Sequence, residues 1–102
     1  MASERINIDP ILDAVKRTHP SFKSRISEYV DKLVSIIDSY IDNCSNPTDE
    51  ELMYLAEKLE KIRETSYYVY NELRQRTKYP SILDQAVSKL RWRNLQKKLG
   101  HK

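Results

Sequence analysis

Between Phe22 and Tyr40 the apolar residues recur at alternating spacings of four and three: Phe22, Ile26, Tyr29, Leu33, Ile36 and Tyr40. That period places them on one side of an α-helix and on both sides of a strand, so the segment is committed to helix. Val30, Val34, Ile37 and Ile41 widen the stripe beyond the seam of a strict coiled coil. A second series, Leu52, Leu55, Leu59, Ile62, Ser66, Val69 and Leu73, keeps the same rhythm. No stretch shows the period-two alternation of a half-buried strand.

The four prolines, Pro10, Pro20, Pro47 and Pro80, punctuate these series. Each lies near an expected helix start, where a missing N–H costs little. The pattern predicts a short first helix over about residues 10–18, with Asp9 as N-cap and Pro10 at its first position. A second helix is expected over 21–43, with Phe22 opening its apolar face. The third begins at Thr48, where Glu51 completes a capping box, and is read as unbroken to Arg76. The fourth runs from Pro80 or Ser81 to Gly100, with Ser81 and Asp84 repeating the capping-box spacing. The short connection at 43–47 makes the second and third helices expected antiparallel neighbours. The fold class expected is therefore all-α: a small helical bundle of three long helices plus a short N-terminal one, a single domain over residues 1–102.

Composition excludes much chemistry. A single Gly, at position 100, cannot form a phosphate-cradling loop, and a single Cys, Cys44, cannot form an internal disulfide or a thiolate metal site. His19 and His101 have no second His at helical spacing, and Glu57, Glu60 and Glu64, interleaved with Lys58, Lys61 and Arg63, read as a solvated face. Cys44 reads as a partly buried thiol at a loop edge. No enzyme activity, metal, cofactor or small-molecule substrate is expected. The apolar runs are too short to span a membrane, and Met1-Ala-Ser-Glu-Arg5 lacks an apolar signal core, so the expected location is intracellular.

Charge and tyrosine say where a partner could sit. The net charge of +3 hides a gradient: residues 1–50 hold nine acids and six bases, residues 51–84 six of each, and residues 85–102 six bases and no acid. The segment 89–102 is thus a basic helix end and tail. Within it Trp92, Leu95 and Leu99 form an apolar line rotated from that of Leu83, Val87 and Leu90. Either the helix bends there, or its last turns offer an apolar side to something else. On the third helix, Tyr67 lies roughly 120° and Tyr68 roughly 140° from the apolar line. Either a neighbouring helix covers that flank, or the tyrosines form an exposed aromatic surface. Tyr, Trp and Arg are favoured interface anchors. The expected partner-binding residues are Tyr67, Tyr68, Arg74, Arg91, Trp92 and Lys97, meeting an acidic or amphipathic protein segment or a second copy of the chain. The alternative is a nucleic-acid-associated structural protein, contacting phosphates through Lys89, Arg91, Arg93, Lys97 and Lys98.

The stretch Leu59-Glu-Lys-Ile-Arg-Glu-Thr65, leading into Val69-Tyr-Asn-Glu-Leu-Arg74 and then Ile82, Ala86, Leu90 and Trp92 in a basic helix, resembles the transcription elongation factor TFIIS N-terminal domain family. That class includes the integrase-binding domain of chromatin-tethering proteins. Thr65 matches its helix-starting threonine, Leu73-Arg74 its Leu-Arg pair, and Ala86, Leu90 and Trp92 its later helix. Tyr67-Tyr68 stands where the family often has Ile-Gly, and the unbroken third helix merges two family helices. The resemblance implies a nuclear, non-catalytic scaffold that docks short disordered motifs through helix ends and the loop at Thr77–Pro80.

Overall fold

The computed structural model describes residues 6–44 and 46–100. Five helices follow one another: α1 (Asp9–Arg17), α2 (Lys23–Asp42), α3 (Asp49–Thr65), α4 (Tyr67–Arg76) and α5 (Pro80–Gly100). The described residues are all-α, with no strand.

The helix starts follow the expected capping chemistry at α3 and depart from it at α1, α2 and α5. Thr48 caps α3 through the expected reciprocal pair, its hydroxyl accepting from the Glu51 N–H at 3.2 Å while the Glu51 carboxylate accepts from the Thr48 N–H at 2.8 Å. Asp9 lies inside α1, behind an Ile8 N-cap, and its carboxylate pairs with Lys61 on α3 at 3.0 Å. Helix α2 begins only at Lys23, so Phe22 falls outside the apolar face assigned to it and is 60% exposed. The N-terminal capping box expected for α5 does not form. The helix starts at Pro80, which places Ser81 inside it, and the Asp84 carboxylate is taken by Arg74 at 2.6 Å.

The largest departure is at Ser66. The long third helix is two helices, because Ser66 adopts an extended conformation (φ −160°, ψ 114°) and its hydroxyl accepts from the Val69 N–H. A serine that bonds its own following backbone competes with continuation of the helix. The break has a packing reason. Ser66 would occupy an apolar heptad position with a polar side chain, and breaking there lets the second half of the series turn toward another neighbour. Leu52, Leu55, Leu59 and Ile62 are buried on α3, which packs mainly on α5, whereas Val69 and Leu73 are buried on α4, which packs on α2 as well as on α3. Helices α2 and α3 touch where the Tyr40 and Tyr54 rings meet at a tilt, 5.6 Å between centroids, but each finds its main partner elsewhere.

One core joins all five helices, centred on Val30, Leu33, Ile37, Leu55, Leu59, Ile62, Leu73 and Leu83. Two isoleucines before α1 join it. Ile6 and Ile8 are buried, and the Ile6 N–H donates to the Tyr54 hydroxyl at 2.8 Å, fastening the N-terminal strap to α3. The α4–α5 connection is anchored from below. Asp38, buried on α2, accepts from the Thr77 hydroxyl and from the Lys78 N–H, while Asp42 accepts from the Tyr79 hydroxyl. No described helix is long and apolar enough to cross a membrane.

Candidate functional site

Two regions draw attention because they leave apolar surface uncovered. The first is the distal half of α5. Leu83, Ala86, Val87 and Leu90 are buried, and from Arg91 to Gly100 every residue is exposed. At 1.5 Å rise per residue this exposed portion is about 15 Å long. The helix runs on through both apolar lines without interruption. The second line, Trp92, Leu95 and Leu99, is therefore presented outward, with Trp92 59% and Leu99 64% exposed. Each of these rings and chains would bury apolar area against a partner.

The cations of this helix divide into two sets. Lys89 pairs with Asp49 at 3.0 Å and Arg93 with Glu57 at 3.7 Å, both on α3, so two of the five residues expected to reach phosphates already face carboxylates. Arg91, Lys97 and Lys98 have no ion pair among the described residues. Arg91 and Lys98 line an open groove of about 660 Å³ between α5 and α3, with Leu95 beside them and Glu60 and Glu64 opposite. Lys102 and His101, also expected in the basic tail, lie outside the described residues, as do Met1–Arg5 and Ser45.

The second region is α4. Tyr67 and Tyr68 are 63% and 49% exposed, yet they do not form one patch. The Tyr67 ring approaches Tyr70 at 6.3 Å, and burial pushes the Tyr70 hydroxyl above its ordinary value against the opposing charges of Arg74 on α4 and Arg91 on α5. Tyr68 instead lines a groove with residues of α1 and α2. Arg74 bridges α4 to Asp84 on α5, which raises its pKa above the ordinary value, chiefly through that hydrogen bond. Its charge is thus engaged within the bundle. Of the six expected partner-binding residues, Arg91, Trp92 and Lys97 share the exposed end of α5, with Lys97 about 140° round the helix from Trp92, Tyr67 and Arg74 lie on α4, and Tyr68 lines the groove with α1 and α2.

The loop the resemblance nominates for docking is tied down. Thr77 is buried, and Asp42 is held below the ordinary carboxylate value by its hydrogen bonds from Tyr79 and Lys78. Thr65 ends α3, and the cap of the following helix is Ser66, one residue later.

Among the described residues no group of three or more His, Cys, Asp or Glu is placed to hold a metal ion. Cys44 is half-buried, and burial, with Glu51 nearby, pushes its thiol above the ordinary value. His19 bonds the Ser21 hydroxyl at 2.8 Å in the α1–α2 turn. Glu57 and Glu60 turn to Arg93 and Arg63, while Lys61 turns to Asp9, not to Glu57.

The chain matches no family model, no curated protein and no solved structure.

Proposed function

We propose that the chain is a non-catalytic protein-interaction module whose binding element is the distal half of α5, and that its partner is an acidic amphipathic segment that becomes helical on docking. The observation that carries this reading is the combination on α5. An uncovered Trp92–Leu95–Leu99 line runs through ten consecutive exposed residues that carry no acid, and of their cations Arg91, Lys97 and Lys98 form no ion pair with a described residue. Apolar anchors supply affinity in such a groove-and-helix mode, and the surrounding charge steers and orients the partner. A partner carrying Asp and Glu around Leu or Phe anchors meets both requirements. Pairing of two α5 ends from separate copies brings like charges together, which disfavours that form of self-association.

Phosphate binding is the weaker reading, because Lys89 and Arg93 are neutralised by Asp49 and Glu57 within the fold. The TFIIS-type resemblance is compatible with a docking scaffold, and the α5 reading does not depend on it.

The test is calorimetric titration with a synthetic amphipathic peptide rich in Glu and Leu, alongside a duplex oligonucleotide at low and moderate salt. The wild-type chain binds the peptide, and R91E/K97E/K98E weakens binding about a hundredfold, in line with the loss of several interfacial charge contacts. Tight oligonucleotide binding with a steep salt dependence, and no response to the peptide, replaces this reading with the phosphate one.

A further inference from the structure

The acid-rich half of the chain carries a groove without a single carboxylate in its lining. It lies where the α1–α2 turn meets the α3–α4 break and has a volume of about 560 Å³. Buried Val15 and Ile26 form its floor, Pro20 and the half-exposed Tyr68 ring its sides, and Lys16 and Lys23 stand exposed at its mouth. Thr18 also lines a second depression of about 290 Å³, so the two lie side by side at that residue. That second depression holds Arg17, His19, Phe22 and Arg25 and again no acid. None of Lys16, Arg17, Lys23 or Arg25 forms an ion pair with a described residue, whereas Lys61, Arg63, Arg74, Arg76, Lys78, Lys89 and Arg93 all do.

Helix stability accounts for only two of these four charges. Lys16 and Arg17 suit the last turn of α1, but Lys23 and Arg25 stand in the first turn of α2, which carries no acid. A cation there opposes the helix dipole. From this geometry we infer a second docking site, independent of α5, for a short acidic linear peptide: one apolar side chain enters between Val15, Ile26 and Tyr68, and flanking Asp or Glu residues meet Lys16, Lys23 and, past Thr18, Arg17 and Arg25. The occupant is a peptide because the floor of the larger depression is aliphatic. Val15, Pro20 and Ile26 offer room for a Leu or Phe side chain, and the lining of this depression holds a single aromatic ring, Tyr68, where a site that tracks a nucleic-acid strand lines up several. Carboxylates on an extended chain can reach cations on both sides of Thr18, which a single small anion cannot.

The test is amide-shift mapping with a short peptide in which one Phe is flanked by Asp on both sides, compared with versions carrying Lys flanks or Ala in place of Phe. The expected result is shifts clustered at Val15, Thr18, Ile26 and Tyr68, lost with either control peptide. K16E/K23E weakens binding about tenfold or more, and K97E/K98E leaves it unchanged. Lys23→Glu alone also weakens binding while raising the urea midpoint of unfolding, since an acid suits the first turn of α2, so lost binding in that variant is not lost folding. Shifts confined to the α5 end, affinity indifferent to K16E/K23E, displacement by a single-stranded oligonucleotide, or no shift at millimolar peptide overturns the inference. Because α5 binding is read separately through its own charge reversals, either site can fail without the other.

Discussion

Asp38 is the polar side chain on which the interior depends most. It is buried on α2, and both its oxygens are used, one by the Thr77 hydroxyl and one by the Lys78 N–H. The Thr77 oxygen in turn accepts from the Tyr79 N–H at 3.1 Å, so one residue organises the turn into α5. Thr77→Val keeps the shape but leaves the Asp38 carboxylate and the Tyr79 N–H short of partners. It should cost about 2 kcal/mol, read as a lower urea midpoint at unchanged slope. Titration adds a second expectation at this scale. Glu51, hydrogen-bonded by the Thr48 N–H, and Asp42, bonded by Tyr79, lie below their ordinary values of 4.5 and 3.8. Each adds stability that is complete above those values and is lost as pH falls through the lowered ones. Tyr40 has the opposite sign. Burial pushes its hydroxyl from 10.0 to about 12, adding stability that is complete below pH 10.0 and lost as pH rises toward about 12. Urea midpoints measured across pH should therefore be level in between and fall at both ends.

Ser66 decides the architecture at the level of elements. Its apolar neighbours on the heptad, Ile62 and Val69, are buried on opposite sides of the break and serve different packing partners. An unbroken helix gains from Ser66→Ala, because Ala has the higher helix propensity. A capped junction loses, because the Val69 N–H loses its acceptor. The variant should be destabilised by about 1 kcal/mol in urea unfolding, opposite in sign to the continuous-helix expectation. The helical class, the register of Leu52, Leu55, Leu59 and Ile62, and the Thr48–Glu51 box were legible in the sequence because they are local and periodic. The break was not, since periodicity reads through a polar heptad position. Its visible signal was a good N-cap residue set before the poor helix formers Tyr67 and Tyr68. Ile6 and Ile8 escaped for a related reason: two alternating residues outside any helix carry too little period to register.

At the scale of the whole molecule, the five described helices are of unequal reach and one of them overhangs. Helix α5 serves the core as far as Leu90 and continues to Gly100. The rotation between its two apolar lines was readable from spacing, which is why Arg91, Trp92 and Lys97 could be named together. What spacing could not supply was long-range pairing. Arg74 with Asp84, Lys89 with Asp49 and Arg93 with Glu57 depend on how α5 lies against α3 and α4. The same holds for Tyr68, whose groove is assembled from α1, α2 and the α3–α4 junction. Because Trp92 is the chain's one tryptophan and lies outside the core, it reports on the overhang alone.

Trp92 emission during titration with the Glu- and Leu-rich amphipathic peptide is the most direct test of α5 as the binding element. The emission of the free, folded protein should already lie close to that of the urea-unfolded chain. Saturating peptide should shift it to shorter wavelength, and R91E/K97E/K98E should abolish that shift. A buried-type emission in the free protein, or saturable peptide binding that leaves Trp92 unmoved, would contradict the account.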